Sequence, residues 1–535
     1  MSAVNFFVKG STIAAILLIL VCQVTRASPR NKTERRMRFL ARFKNPKELK
    51  DIEYVRQGLQ VLRERQQSQQ KSRKVVAGME IPPEVKAFAI KLRAANRNVS
   101  NEIPSIPKAN EGLEDYLYAG DILLTPQQVD EMLGNSRPKR QAVPNSDYKW
   151  PVDDPINYYF DEAFPTEKAI LFREAADFWN EYTCLWLLES TETPRIRVYE
   201  GTGCSSSAGF VADAYPENEQ KISLEPGCGD IFGTMTHELA HALGIKHQQC
   251  RSDRNLYIEV DTSLMTKQQD QWNINSDTLN YNSPYEPGSV MHYADAESDN
   301  GPIYAWSYDR VLQASMGNRV APTFLDVWLV NTHYGCMSKC TSGGATCKNG
   351  GFRNPNNCNK CICPSGFGGT TCSGLGPAEN GASDDGEILQ ATSSYQTLEG
   401  ATGSDGDVYH RSQAIHWHIK APAGKRVEIV VKNWWGLCTP GCKYGSLEIK
   451  SKTFTMTGSR YCCDSDIASN PKLISADTMA IVSLYSLKDE SSFEIQYRYV
   501  NPPPTCVDAD PNCKSYKMAS CDNPSYSNWA KTQCK

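Results

Sequence analysis

The stretch His237-Glu-Leu-Ala-His-Ala-Leu-Gly-Ile-Lys-His247 constrains this chain more than any other. His237 and His241 are four apart, so on a helix they leave the same face about one turn from each other. Two imidazoles so placed can both reach one zinc at about 2.0–2.1 Å. A third ligand has to approach from off the helix axis. Gly244 permits the necessary bend, because it takes a positive φ without steric cost, and His247 can then swing back under the metal. Glu238 stands beside the first ligand without being needed as one, where it can take a proton from water and hand it to a leaving amine. Zinc would lower the pKa of its water towards neutrality and polarise a carbonyl. Three of the 8 histidines of the chain fall in this stretch, which weighs against scattered surface histidines.

At 535 residues the chain is long enough for several domains. Its 57 basic and 61 acidic residues leave a formal charge of -4, which gives no hint of a nucleic-acid partner. The 20 cysteines are unevenly spread: only Cys22 precedes Cys184, and most follow Cys336, as expected for small disulfide-stapled modules in an oxidising compartment. Lys9, the apolar run from Ile13 to Val21, and the small residues Ala27 and Ser28 read as a signal peptide over 1–27, with a signal anchor as the alternative. No later run of 18 or more apolar residues appears, so a soluble, secreted product without a membrane span is expected.

Residues 28–140 lack cysteine and are rich in Arg, Lys, Gln and Glu. Asp51 to Gln70 has helical periodicity, with Ile52, Val55, Leu59 and Leu62 on one face. Asn31 and Asn98 head glycosylation sequons. Arg137-Pro-Lys-Arg140 reads as a convertase site that would make Gln141 the first mature residue; a solvated charge cluster is the alternative. From Gln141 to Cys336 the chain reads as one globular domain, with a helix over Phe172–Leu188, strands at Ile196–Tyr199 and Lys221–Leu224, and a helix over Ile231–Gly244. Farther on, Ala414–Ile419, Val427–Val431, Leu447–Ile449, Ala480–Leu484 and Phe493–Tyr499 alternate apolar and polar residues, as strands of an antiparallel sandwich do.

The zinc motif is followed by Ser289-Val-Met291-His-Tyr293, which fits the methionine turn of the metzincins. Together with Arg251-Ser-Asp-Arg254, the Ser-x-Met-His-Tyr form of that turn, and Phe324, Asp326, Asn331 and Tyr334, residues 141–336 resemble the astacin family. The resemblance implies an α+β metzincin protease domain of two lobes flanking a horizontal cleft, with one zinc ion. Met291 would be the apolar floor beneath it. Tyr293 would be a further zinc ligand that swings away to stabilise an oxyanion, ordinary cleft packing being the alternative. The resemblance also implies the disulfides Cys184–Cys336 and Cys204–Cys228. Tyr118-Ala-Gly-Asp121 resembles the family's F-x-G-D propeptide motif, with Tyr for Phe. Asp121 would then ligate zinc in the zymogen in place of water; a simple turn is the alternative.

The flanking modules extend the resemblance. Cys340, Cys347, Cys358, Cys361, Cys363 and Cys372 resemble an EGF-like domain, which implies pairs 340–358, 347–361 and 363–372. The segment 379–500, with Cys438, Cys442, Cys462 and Cys463 and an Ala-Pro-Ala-Gly turn, resembles a CUB domain lacking the N-terminal cysteine pair of many such domains. Cys506, Cys513, Cys521 and Cys534 resemble part of a ShK toxin-like domain. The expected order is therefore signal peptide 1–27, propeptide 28–140, astacin-like domain 141–338, EGF-like 339–373, CUB-like 379–500 and tail 506–535.

Gln248 departs from the family pattern, which has Glu after the third His to meet the buried new N-terminal amine. A neutral side chain there predicts a weaker link between propeptide cleavage and ordering of the lower lobe. Cys250 is left over from the expected pairs: a free thiol near the cleft, an intermolecular link, a partner for a tail cysteine, or a zinc contact, with a buried or unpaired thiol preferred to a ligand. The expected function is a secreted zinc metalloendopeptidase, silenced by Asp121, released by cleavage after Arg140, and acting on extracellular or matrix proteins. Cuticle collagen and eggshell are the analogies the module set offers, and the EGF-like and CUB modules would bind substrate or partner proteins. An adhesion protein with a degenerate protease domain is the competing class; intact His237, Glu238, His241 and His247 argue against it.

Overall fold

The computed structural model describes residues 32–70, 81–87, 104–134 and 148–502, apart from short gaps at 44, 82, 85, 266–268, 276–277, 297–302 and 470. The signal-peptide segment, Asn31, Asn98, Arg140, Gln141 and the tail cysteines lie outside the described residues. No helix among the described residues is long and apolar enough to cross a membrane.

The central α+β body is built on a mixed six-stranded sheet. In chain order its strands are β1 (Ile122–Leu123), β2 (Ile156–Phe160), β3 (Leu187–Glu189), β4 (Arg195–Tyr199), β5 (Cys204–Ser207) and β6 (Glu219–Leu224). In space they run β1-β5-β6-β4-β2-β3. β6, β4, β2 and β3 are parallel neighbours, whereas β5 runs antiparallel to β6. Two long helices cover one another beside the sheet, Thr166–Tyr182 and Phe232–Ala242. Ala175, Ala176, Phe172 and Trp179 of the first, and Met235, Leu239 and Ala242 of the second, share one buried core with Ile156, Ile196, Val198 and Ile222 of the strands. Burying each large apolar side chain of this kind contributes about 1.5–3 kcal/mol.

The first of these helices differs from its sequence expectation. It starts after Pro165 and ends at Tyr182, while Leu187 and Leu188 belong to a strand. The apolar run continues past 182, so periodicity alone reads straight through the break. What breaks the helix is local polar chemistry. Thr183 turns its hydroxyl back onto the Trp179 carbonyl at 2.5 Å, and the Asn180 amide exchanges hydrogen bonds with the backbone of Leu187 at 2.6 and 3.0 Å. The chain is thereby bent into register beside β2.

The N-terminal segment lies against this body. Helices Lys32–Leu40 and Pro46–Gln70 precede a short helix, Pro126–Leu133, whose Thr125 and Gln128 form a capping box. Ile52, Val55, Leu59 and Leu62 are all buried, as their spacing predicts, Ile52 against Phe39 and Leu117 and the other three around Val129. β1 adds in parallel to the edge strand β5, pairing Ile122 with Ser206 and Leu123 with Ser207. Buried ion pairs fasten the segment: Arg35 grips Glu225 through two bonds of 3.0 and 2.8 Å, and Lys221 meets Glu48.

Beyond the body, a small module closed by Cys340–Cys358, Cys347–Cys361 and Cys363–Cys372 leads into the sandwich. Five strands, 388–390, 408–420, 479–488, 445–450 and 459–461, form one sheet; four, 396–402, 491–500, 426–435 and 472–474, form the other. Trp417, Ile419, Val427, Ile429, Leu447, Val482, Phe493 and Ile495 fill the space between them. The multidomain architecture expected from the sequence, an α+β body followed by a disulfide-rich module and an all-β CUB-like sandwich, is the one observed.

Candidate metal centre

The helix Phe232–Ala242 presents His237 and His241 to the interior, and Gly244 then takes φ +88°. A β-carbon there would stand 3.2 Å from His333 Nε2, so glycine serves both the bend and the close approach. His247 returns on the far side of the bend. His237 Nδ1 donates to the Val290 carbonyl at 2.8 Å, and His241 Nδ1 donates to the Ile245 carbonyl at 2.7 Å. Those bonds fix the tautomers and turn both Nε2 lone pairs inward. The His247 Nε2 atom lies 3.1 Å from that of His241 and 3.3 Å from that of His237.

Asp121 completes the group. Its Oδ2 lies 3.1 Å from the Nε2 atoms of both His237 and His247, and its Oδ1 is 3.3 Å from that of His241. The four side chains are fully buried, and among the described residues they form one cluster able to hold a metal ion. Neutral imidazoles bring lone pairs together at this spacing at a cost unless a cation lies between them. Four donors at about 2.0–2.2 Å from a tetrahedral centre stand about 3.3–3.6 Å apart, close to the separations observed, so the donor set fits zinc.

The electrostatics agree with that fit. Burial pushes His237 well down and His247 down, the direction that favours the neutral imidazole a ligand needs, while Asp121 pulls both the other way. Burial alone would raise the Asp121 carboxyl, but the facing His247 and His241 outweigh it and hold it well below the usual range. Tyr293 is pushed up by burial and then by the Asp121 carboxylate, so it remains a phenol able to donate. Its hydroxyl donates to Asp121 Oδ2 at 2.7 Å. Glu238 is raised well above the ordinary value by burial and by the nearby Asp121 charge, and neither of its carboxyl oxygens has a hydrogen-bond partner among the described residues.

The turn that carries Tyr293 is held from beneath. Asp326 accepts from the Ser289 hydroxyl and from the Val290 amide at 2.9 Å, while the Gln249 side chain accepts from the Tyr293 amide at 3.1 Å. Met291 is buried in the same core. Arg251 forks onto Asp253 at 2.9 and 2.8 Å and reaches the carbonyls of Ser283 and Pro284. The body is stapled by Cys184–Cys336 and Cys204–Cys228.

With this geometry in place, comparison with known proteins is decisive. A family model described as Astacin, a peptidase family, matches residues 142–335. Zinc metalloproteinase nas-27 of Caenorhabditis elegans is 34% identical over 417 residues, covering 73% of this chain and 91% of its own. The chain belongs to the astacin family. Another relative, zinc metalloproteinase nas-28 of the same organism, is 33% identical over 418 residues, with 75% of this chain and 82% of its own covered. Among solved structures, high choriolytic enzyme 1, a hatching enzyme zinc-protease of the medaka Oryzias latipes, matches at 25% identity and a TM-score of 0.32, covering 36% of this chain and 96% of that one.

As an astacin, the protein is a zinc metalloendopeptidase. Several residues of its site escape a reading by motif. Arg319 is buried and spends its guanidinium on the carbonyls of Val290, His292 and Asn318, bracing the turn that bears Tyr293. Asn110 donates to the carbonyls of Gly120 and Cys204 at 2.8 and 2.6 Å, aligning Asp121 with the sheet edge. Neither lies in a recognisable spacing, since both act through backbone carbonyls brought close only by the fold. Cys250 is free among the described residues and buried, its thiol donates to the Gln271 carbonyl at 3.2 Å, and it does not belong to the metal cluster.

Proposed function

We propose that this astacin is a secreted endopeptidase of extracellular proteins, made as a precursor that Asp121 silences. The carrying observation is the convergence of Asp121 with three histidines and Tyr293 on one point. His237, His241 and His247 would hold zinc, and Tyr293 is suited to join them. When bound, zinc supplies a Lewis acid for the scissile carbonyl and lowers the pKa of water. The rest falls to the chain. Glu238, with both oxygens unengaged, is placed to take a proton from the attacking water and deliver it to the leaving amine. Tyr293, kept as a phenol, can donate to the oxygen that gains charge. Met291 provides an apolar floor.

Asp121 lies 3.1–3.3 Å from the three histidine Nε2 atoms, where it would keep water and substrate from them, and β1 pairs with β5 at the sheet edge. Both features support a propeptide over 28–140, removed by cleavage after Arg140 to leave a protease domain over 141–338. A signal peptide over 1–27, sugars on Asn31 and Asn98, an EGF-like module over 339–373, a CUB-like module over 379–500 and a ShK-like tail over 506–535 complete the reading. The seven disulfides of the described residues support an extracellular setting. Matrix proteins, collagens among them, are the substrate class proposed, with the outer modules binding substrate or partner proteins.

Proteolysis of casein and gelatin by the secreted, processed protein tests the reading, with Glu238→Ala and a chelated sample beside it. Cleavage is expected from the unmodified protein alone. Folded, zinc-loaded, processed protein that cuts nothing across a broad peptide library would favour a binding role.

A further inference from the structure

The turn that carries Tyr293 rests on the β-sandwich at both of its ends. At the start, Glu286 accepts from the Gly288 amide at 3.0 Å and from the Thr457 amide of the sandwich at 2.9 Å. A β-carbon on Gly288 would run into the Thr457 side chain, so the two elements meet there without a gap. At the far end the contact passes through residues 309–319 of the protease body. Asp309 pairs with Lys452 of the sandwich at 2.8 Å. The short helix Arg310–Ser315 then lays Val311 and Ala314 against the sandwich core, and the Ser315 hydroxyl donates to the Gly458 carbonyl at 3.1 Å. Gly441 closes on Gly317 so tightly that a β-carbon would collide with the Gly317 carbonyl. Two disulfides, Cys438–Cys463 and Cys442–Cys462, fix the loop that bears Gly441.

The same segment grips the turn. Gln313 donates to Asp295 Oδ2 at 2.7 Å and to the Ala305 carbonyl at 3.0 Å, and it accepts from the Ser307 amide at 2.8 Å. A β-carbon on Gly317 would stand 2.6 Å from that of Ala294, the residue after Tyr293. Asn318 donates to the Gly288 carbonyl at 2.8 Å, and Arg319 donates to the carbonyls of Val290 and His292 at 2.8 and 3.1 Å. Each of these bonds holds backbone or a neighbouring side chain of the turn, and leaves the Tyr293 hydroxyl free to face the histidines.

We propose that the sandwich is a working part of the peptidase site, with Gln313 and Gly441 as positioning residues that hold the Tyr293 turn. The proposal rests on the reading of Tyr293 as donor to the oxygen that gains charge. Such a donor helps most when it is in place before the charge develops, and a displacement of about 1 Å forfeits much of its effect. In the precursor the Tyr293 hydroxyl is tied to Asp121. Once the N-terminal segment leaves, that bond is lost, and the support beneath the turn is what keeps the ring in position.

The test measures kcat and KM separately on a quenched-fluorescence peptide, with the processed full-length protein. Gln313→Met keeps the length of the side chain but loses its amide, and Gly441→Ala presses a methyl onto Gly317. Each should lower kcat by about ten-fold and leave KM unchanged. Tyr293→Phe should lower kcat by about 100-fold. Adding either substitution to Tyr293→Phe should change kcat by less than about two-fold, because the donor they position is gone. If Gly441→Ala is not secreted in folded form, Gln313→Met carries the test alone. Full kcat in Gln313→Met, or an undiminished further loss in the Tyr293→Phe background, overturns the proposal and leaves the peptidase reading standing. Full kcat in Tyr293→Phe overturns the role of Tyr293 and the proposal with it, and an unmodified protein that cuts nothing overturns the peptidase reading itself.

Discussion

The Tyr293 hydroxyl donates to Asp121 Oδ2 at 2.7 Å, joining the turn after the zinc helix to a carboxylate 172 residues upstream. The same oxygen faces two of the three histidines at 3.1 Å. Removing the carboxylate should therefore release two constraints at once. In a precursor made uncleavable at Arg140, Asp121→Ala should raise peptidase activity by about ten-fold or more, the ligand position having passed to water. A quenched-fluorescence peptide assay on the uncleaved protein measures this. Activity as low as that of the unmodified precursor would mean that steric cover, not the carboxylate, keeps the site silent.

Gly120 prepares that contact. It sits at φ +102°, and a β-carbon would come within 2.6 Å of the Gln271 side chain and 2.9 Å of the Tyr293 hydroxyl. Gly120→Ala should cost about 1–2 kcal/mol in backbone strain alone, with side-chain displacement in addition. The N-terminal segment should then dock less tightly. Limited trypsin digestion of the precursor is expected to cut residues 104–134 faster in the variant, with the processed form unaffected. Equal cutting rates would show that the segment tolerates a shift at this point.

Cys250 shares a buried apolar cluster with Val55, Leu59, Leu62, Tyr118, Ile122 and Val129, all from the N-terminal segment. Burial also pushes its thiol up to about 12. Its protection thus depends on the segment staying in place. A maleimide should leave Cys250 unlabelled in the native precursor and label it in the processed protein, as read by peptide mass mapping. Labelling at the same rate in both forms would place the shielding elsewhere.

Gln248 is buried, and its side-chain nitrogen has no partner among the described residues. Its backbone amide donates to the Met291 carbonyl at 3.0 Å, so it stands where cleft and methionine turn meet. If the new N-terminal amine approaches it after processing, Gln248→Glu should stabilise the processed form by about 1–3 kcal/mol and destabilise the precursor, in which the carboxylate would lack its cation. Thermal unfolding of both forms reports the difference. Unchanged stability and activity in the processed variant would remove any role for the neutral side chain.

The zinc helix, its bend and the returning histidine were legible because a short motif encodes them with local geometry: a four-residue spacing, then a glycine. The long helix Pro46–Gln70, through its stretch from Asp51 on, and the strands of the sandwich were legible for the same reason, each carrying its period in sequence. The end of the helix at Tyr182 was not, since it depends on Thr183 and Asn180 bonding to backbone rather than on any loss of apolar residues. Arg319 and Asn110 were invisible on other grounds. Each acts through backbone carbonyls that only the fold brings close.

The contact between protease body and sandwich also carries a titratable group. Glu286 is 2% exposed and accepts hydrogen bonds from the Thr457 amide of the sandwich at 2.9 Å and from the Gly288 amide at 3.0 Å. Burial pushes its carboxyl up to about 7; the two amides oppose this, as does Lys450, whereas the Asp326 charge reinforces it. Beyond Lys450 lie Glu448 and Arg460, which pair with each other. Because the folded state holds the Glu286 proton more tightly than the unfolded chain, whose carboxyl titrates near 4.5, folding is favoured most below that value. As pH rises from about 4.5 to about 7 the folded form keeps a proton the unfolded form has lost, and stability should fall by up to about 3 kcal/mol. Glu286→Gln, which keeps the size and an acceptor oxygen, should flatten this slope. Thermal unfolding of both proteins across pH 4.5 to 7 decides the matter: the difference between the two melting curves should widen steadily with pH, and parallel curves would mean that the carboxylate is accommodated at the interface without cost.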